Sequence, residues 1–371
     1  MKVAVIGCCH GELNRLYMEV EKYENEKNEK VDLILCCGDM QTIRDENDLQ
    51  DMAVKSHRSK KGDFWEYYEG LKKAPKLTIF IGGNHETPNV LIPLYYGGWV
   101  APNIFYLGSS GVIRVGDVRV AGISGIYKNY DHFRGYYESK PFTEESKRSW
   151  YHIRWLEIQK LLLIENIKSN FLGSTESRKV DVMISHDWPN GIERFGNLNY
   201  LIRRKPYLKE DIELGRLGIP GCIELIEHLR PTFWFSGHHH CFFDASIEFE
   251  NQLYSSEFRA IDKFKNSNSP VRYFDINSNK NDVRIYLDFE WLTILRSVKA
   301  NIPKGNFTID KNSIPKLSGP TKSDIDAIYK NLKEVIGDFD ENHYEWPLWG
   351  QANGNFKNLQ DQYNFINRII E

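Results

Sequence analysis

Short apolar runs, each ended by glycine or a polar residue, punctuate the first half of the chain. "KVAVIG", "VDLILCCGD", "LTIFIGGNH", "VRVAGISG" and "VDVMISHDW" are brief and rich in β-branched residues, which predicts strands. Between the first two, "LNRLYMEVEKYENEKN" sets Leu13, Leu16, Tyr17, Val20 and Tyr23 on one side at helical spacing. Strands alternating with helices predict an α/β layered domain whose polar residues collect at the carboxyl ends of strands. Residues 127–155 break this rhythm with tyrosines and basic groups, and a connection that long and irregular inside a compact domain is more often functional than idle. Past "FWFSGHHHCFFDASI" the pattern changes to loop-like stretches with helical pieces at "WLTILRSVKA" and "SDIDAIYKNLKEVI". The expectation is a larger α/β domain over 1–245 and a smaller C-terminal domain over 246–371.

Composition changes this picture little. The 371 residues are 41% hydrophobic and 27% charged, which is ordinary globular usage. A net charge of -3 excludes a globally basic nucleic-acid binder, so any RNA contact needs a local patch such as Arg203, Arg204 and Lys205. "MKVAVIGCCH" reads as a strand rather than a signal peptide, and no run reaches the roughly 18–20 apolar residues of a membrane span. A soluble intracellular protein with its six cysteines reduced is expected.

The strand ends carry the chemistry. "GCCHG" offers Cys8 and His10, "CCGDM" Asp39, "GGNHE" Asn84, His85 and Glu86, "SHDW" His186 and Asp187, and "SGHHHC" His238, His239 and His240. Each alone reads as an ordinary hydrogen-bonded polar group. Five such strand ends together point to a site that mixes imidazole, carboxylate and amide oxygen, which suits zinc, iron or manganese. Gly38, Gly83 and Gly237 stand just before these groups, where the backbone turns tightly or approaches something closely. A lone carboxylate such as Asp39 can bridge two cations, and paired cations are a recognised clamp for phosphoryl displacement.

The order D-x-H, G-D-x-x, G-N-H-E, H and G-H-x-H is that of the calcineurin-like metallophosphoesterases, which this chain resembles except that Cys8 replaces the first aspartate. Cysteine at that position, with "GDMQTIRDENDL", "GDFWEYYEG", "HDWPNGI" and "FRAIDK", is similar to the RNA lariat debranching branch over nearly all of residues 1–300. The resemblance implies two β-sheets flanked by helices and two divalent transition metals, drawn from Fe2+, Zn2+ and Mn2+. It implies that His10, Asp39 and His240 hold one metal and that Asp39 bridges to another held by Asn84, His186 and His238. Cys8 would either ligate, favouring zinc or ferrous iron, or stand off a weaker site. Cys9 is expected in the core, and His239 should point away if its segment is extended.

The implied reaction is hydrolysis of a 2′-5′ phosphodiester in branched RNA, with His85 as general acid and Glu86 a candidate to orient it. The 127–155 insert resembles a lariat-recognition loop, whose Tyr127, Lys128, Tyr136, Tyr137, His152 and Arg154 would stack bases and meet phosphates. No obligate protein partner is evident, a monomer is expected, and the activity implies nuclear residence with possible shuttling. Rival readings are another phosphoesterase of the superfamily and a scaffold with a decayed site.

Overall fold

The computed structural model describes residues 1–53, 60–165, 179–249, 255–264, 270–279, 282–310, 317–337, 345–347 and 358–371. In chain order the strands are β1 (Lys2–Ile6), β2 (Leu33–Cys36), β3 (Leu77–Phe80), β4 (Gly98–Ala101), β5 (Ile104–Tyr106), β6 (Ser110–Val115) and β7 (Val118–Ile123). They continue with β8 (Val182–Ser185), β9 (Phe233–Ser236), β10 (Phe243–Glu248), β11 (Ser255–Ala260), β12 (Arg272–Asp275) and β13 (Ile285–Leu287). One sheet runs β12-β1-β2-β3-β5-β4 and the other β10-β11-β9-β8-β7-β6-β13. The central strands β1, β2, β3 and β5 are mutually parallel, as are β7, β8, β9 and β11. The five strands expected from apolar runs are β1, β2, β3, β7 and β8.

Unbroken apolarity in these strands follows from burial on both faces. On β1 and β2, Val3, Val5, Leu33 and Leu35 pack inward against β7, β8 and β9 of the second sheet. The alternate residues Ala4, Ile6, Ile34 and Cys36 face the opposite way and meet Leu13, Leu16, Tyr17 and Val20 of helix α1 (Leu13–Lys27). The period-2 pleat thus divides each strand between two cores, and α1 lies on the side its helical spacing predicts.

The other helices of eight or more residues, among the described residues, are α2 (Trp155–Leu162), α3 (Cys222–Leu229), α4 (Phe289–Val298), α5 (Lys322–Ile336) and α6 (Leu359–Ile370). Asp288 caps α4 by accepting the Trp291 N–H at 2.9 Å and also holds buried Arg119, while Thr321 and Asp324 form a capping box on α5. None of the described helices is long and apolar enough to cross a membrane.

The expected division at residue 245 does not separate two bodies. Strand β11 pairs with β9, β12 with β1 and β13 with β6, so the segment beyond 245 completes both sheets. Helix α6 closes an edge: Gln362 accepts the Trp99 N–H at 2.6 Å and donates to the Trp99 carbonyl at 2.8 Å, occupying backbone groups of β4. A sequence shift from apolar runs to loops marked a change in local pattern, whereas the sheet hydrogen bonds cross it.

Register places the site. Ile6 lies opposite Cys36, Cys36 opposite Phe80, and Ser185 between Ile123 and Ser236, so the parallel strands of each sheet end level. The loops that follow, carrying residues 7–10, 37–41, 81–86, 186–188 and 237–240, therefore converge at one edge of the two sheets.

Candidate metal centre

Four of the expected ligands sit in the left-handed backbone region: His10 at φ 50°, Asp39 at 49°, His238 at 63° and His240 at 49°. Non-glycine residues avoid this region, and the cost of about 1–3 kcal/mol each is found where a surrounding fold enforces a functional geometry. The neighbouring glycines are needed for space. A Cβ on Gly83 would lie 2.2 Å from Asp39 Oδ1, one on Gly38 2.3 Å from His186 Nδ1, and one on Gly237 2.3 Å from the Gly7 carbonyl oxygen.

Asp39 is the centre of the arrangement. Its Oδ2 lies 3.7 Å from His10 Nε2, and its Oδ1 lies 3.5 Å from His186 Nε2. On the first side, His10 Nε2 and His240 Nε2 are 3.1 Å apart, and the donor atoms of Cys8, His10, Asp39 and His240 all fall within 4.8 Å of one another. On the second, His186 Nε2 stands 3.2 Å from Asn84 Oδ1, and the His186 and His238 rings are 5.0 Å apart. One carboxylate thus shows one oxygen to each of two donor groups. Nitrogen, oxygen and sulfur donors converging without intervening side chains fit two divalent cations.

The electrostatics agree with that fit. Burial, opposed by Asp39, holds the His10 imidazole down to about 4, and burial with neighbouring His186 holds His238 down to about 3. Burial with Lys263 and His10 lowers His240 to about 2. Unprotonated imidazole is the form that ligates. Asp39 is buried, which disfavours its charge, yet His186 and His10 keep it ionised well below the usual carboxylate range. His186 donates Nδ1–H to the Cys37 carbonyl at 2.6 Å, which turns its Nε2 lone pair toward Asn84 and Asp39. Cys8 is buried, and its Sγ accepts the His238 N–H at 3.3 Å; burial and Asp39 raise its thiol well above the ordinary value.

His85 is partly exposed, with its ring edge-on to His10 at 5.3 Å and its backbone N–H donating to Asp39 Oδ1 at 2.8 Å. Glu86 does not orient it. The Glu86 carboxylate is buried and accepts the backbone N–H groups of Met40, Gln41 and Gly83 at 2.7, 2.8 and 3.3 Å, clasping the two ligand loops together. His239 leaves the first donor group, as expected, but not because the segment is extended. Its ring packs edge-on against Trp188 at 5.1 Å, and its Nε2 lies 3.7 Å from Asp187, close enough that Asp187, His238 and His239 form a second compact group. Asp187 binds the Tyr127 N–H at 3.0 Å, fastening the start of the insert beside the ligand loops. Trp188 is core, and so is Cys9.

The insert residues divide. Lys128 is exposed with no side-chain partner among the described residues, and Tyr127 and Tyr137 are partly exposed, Tyr137 beneath the Arg134 guanidinium at 4.7 Å. The expectation that Arg154 meets phosphate fails for a physical reason. Its side chain is fully buried, donating to Glu138 at 2.6 Å and to the Ser149 and His152 carbonyls, so its charge is matched inside the insert. His152 is likewise buried against Asp131 at 2.5 Å. Tyr136 donates its hydroxyl to Glu157 at 2.6 Å. Arg203 and Arg204 are exposed on a helix at Leu198–Arg204. Sequence reasoning missed Lys263, which pairs in backbone register with Cys8 and sits where its charge opposes protonation of His10 and His240; the "FRAIDK" stretch contained it without marking it.

Residues 1–242 match the calcineurin-like phosphoesterase family. Lariat debranching enzyme A of Xenopus laevis is 38% identical over 344 residues, covering 91% of this chain and 62% of that protein. The lariat debranching enzyme of Gallus gallus is 39% identical over 349 residues, covering 92% and 62%. That of Arabidopsis thaliana is 40% identical over 303 residues, covering 82% of this chain and 70% of the relative. The chain spans about three fifths of the length of the two animal proteins. The donor arrangement around Asp39, the family match and the identity carried across nearly the whole chain agree that it belongs to the calcineurin-like phosphoesterase family, in the group of the lariat debranching enzymes.

Proposed function

We propose that the chain hydrolyses the 2′-5′ phosphodiester at the branch of lariat RNA, releasing a linear RNA with a free 2′-hydroxyl and a 5′-phosphate. The observation that carries the reading is Asp39, one oxygen toward each of two donor groups, with His85 beside it, in a chain whose relatives are named for lariat debranching. Cys8, His10, Asp39 and His240 would hold one divalent cation, and Asp39, Asn84, His186 and His238 the other. Bound there, two cations would polarise the phosphoryl oxygens and lower the pKa of water to about 7.

The chain's own groups would do the rest. His85, open to solvent and tied through its N–H to Asp39, is placed to give a proton to the departing 2′ oxygen. Glu86 holds the Asp39 and Asn84 loops in one piece, so that acid and ligands keep a fixed spacing. A Cys8 thiolate, supported by the His238 N–H, would favour zinc or ferrous iron over manganese. Lys128, Tyr127 and Tyr137 are proposed to meet the RNA where the insert overhangs the site, and action on excised introns would place the protein in the nucleus.

The test is cleavage of three substrates by the same metal-loaded preparation: a 2′-5′ branched oligonucleotide, a linear 3′-5′ strand and a phosphomonoester. Cleavage confined to the branch is expected. Equal cleavage of the linear strand, or preference for the monoester, would replace this reading with a general phosphoesterase.

A further inference from the structure

Behind the Gly82–Gly83 turn lies a cavity of about 590 Å³, within the roughly 300–1,000 Å³ of small-molecule sites. Gly83 belongs to both places: it lines the cavity, and a Cβ on it would lie 2.2 Å from Asp39 Oδ1. The insert forms one wall through Tyr136 and Tyr151, and Tyr95 stands edge-on to Tyr136 at 5.5 Å. Another part of the wall is α6. Its buried face, Gln362, Ile366, Ile369 and Ile370, docks into the core, while Gln360, Tyr363, Asn364 and Asn367 line the cavity at spacings of three and four residues.

The lining chemistry is specific. A wall that merely closed a core would be apolar, yet α6 presents three carboxamides here. Gln360 donates to Asn364 Oδ1 at 3.0 Å, and the Asn367 side chain has no partner among the described residues. The charged groups of the wall are already matched, Arg154 by Glu138, Glu157 by Lys160 and Lys299 by Glu371, leaving exposed Lys304 as the one cation of the wall with no ion pair among the described residues. Tyrosines and carboxamides set between matched charges suit a flat, neutral ligand with donors and acceptors on its edge.

We propose that this cavity receives one unpaired nucleobase beside the branch, stacked among the tyrosines and read on its edge by Asn364 and Asn367, so that α6 takes part in substrate selection. The inference rests on the reading of the substrate as branched RNA. Base edges are recognised by Asn and Gln side chains, and unpaired bases by tyrosine faces.

The experiment uses the whole chain with Asn364→Leu and Asn367→Leu, singly and together, since Asn364 is exposed, Asn367 is half-buried and leucine keeps helix propensity. Substrates are a branched RNA, the same RNA made abasic in turn at the branch residue and at its 2′ and 3′ neighbours, and bis(4-nitrophenyl) phosphate. KM for the branched RNA should rise about tenfold in the double variant with kcat nearly unchanged. One abasic substrate should raise KM in the unsubstituted chain but not further in the variant, and the small diester should be turned over equally by both. Branch cleavage with unaltered KM in the variants, or abasic and leucine effects that simply add, overturns the base pocket and leaves the activity standing. Turnover of the small diester without branch cleavage by the unsubstituted chain overturns the substrate reading, and the pocket with it.

Discussion

Replacing Gly83 by alanine tests whether close approach of the backbone builds the site. The objection to alanine there is space, not conformation. The added Cβ would lie 2.2 Å from Asp39 Oδ1, 2.7 Å from Asp39 N and 2.8 Å from His186 Cε1. The first contact is about 1 Å inside ordinary carbon–oxygen separation. Asp39 and His186 are both buried, and Glu86 binds Gly83, Met40 and Gln41 at once, so no flexible side-chain end can yield. Relief must move Asp39 relative to His10 and His186 by most of that overlap. Overpacking of this kind costs about 1–3 kcal/mol of stability, and a displacement of about 1 Å at reacting groups costs about 100-fold in rate. The assay is thermal unfolding, metal content per chain and turnover on one preparation, with Gly319→Ala as control because its Cβ would meet nothing within 4 Å. Gly83→Ala that keeps its metal and turns over within about twofold of the parent would refute the claim that this contact positions Asp39.

His85→Ala should lower turnover of branched RNA by about 100- to 10,000-fold without loss of bound metal, and should affect bis(4-nitrophenyl) phosphate far less, because nitrophenolate leaves without a proton; equal losses on both would make His85 structural. Cys8→Asp should shift the metal retained after dialysis from zinc or iron toward manganese, measured by elemental analysis, and an unchanged metal preference would place the Cys8 sulfur outside the ligand set. Arg119→Met should destabilise by about 3–5 kcal/mol, since Asp288 and Glu290 would remain buried without their guanidinium; a small shift in urea midpoint would contradict this. Burial pushes the Asp288 carboxyl up, but Arg119 and Arg114 hold it below its ordinary 3.8. Its contribution to stability is therefore present above the unfolded value and is lost as pH falls through the lower folded value. The Arg119→Met deficit should shrink as pH falls below the ordinary 3.8 and through the lower folded value, and a constant deficit would remove that linkage.

What could be read along the chain was chemistry at strand ends. The runs that became β1, β2, β3, β8 and β9 each stop on the residues a metal centre needs, and ligand type at a strand terminus is a local property. Gly38, Gly83 and Gly237 were readable for the same reason, since only a missing side chain permits the contacts they make. Arg154 and Glu86 were misread because identity says what a side chain can bind and not what stands next to it. A guanidinium in a tyrosine-rich loop suggests phosphate until Glu138 is found against it, and a glutamate after a histidine suggests an orienting partner until three backbone N–H groups are found on its carboxylate.

The amino-acid sequence by itself determined the alternation of strands and helices, the ligand residues and their order. Those follow from side-chain size, polarity and donor type at each position. Only the tertiary structure decided that Asp39 divides its two oxygens between two donor groups, that β11, β12 and β13 belong to the same sheets as β1, β6 and β9, and that α6 forms a wall behind Gly83. These depend on register and on contacts between residues as far as 275 positions apart, as between Met1 and Ile276. Such pairings are selected by the joint burial of many side chains, and no single segment carries the information to specify them.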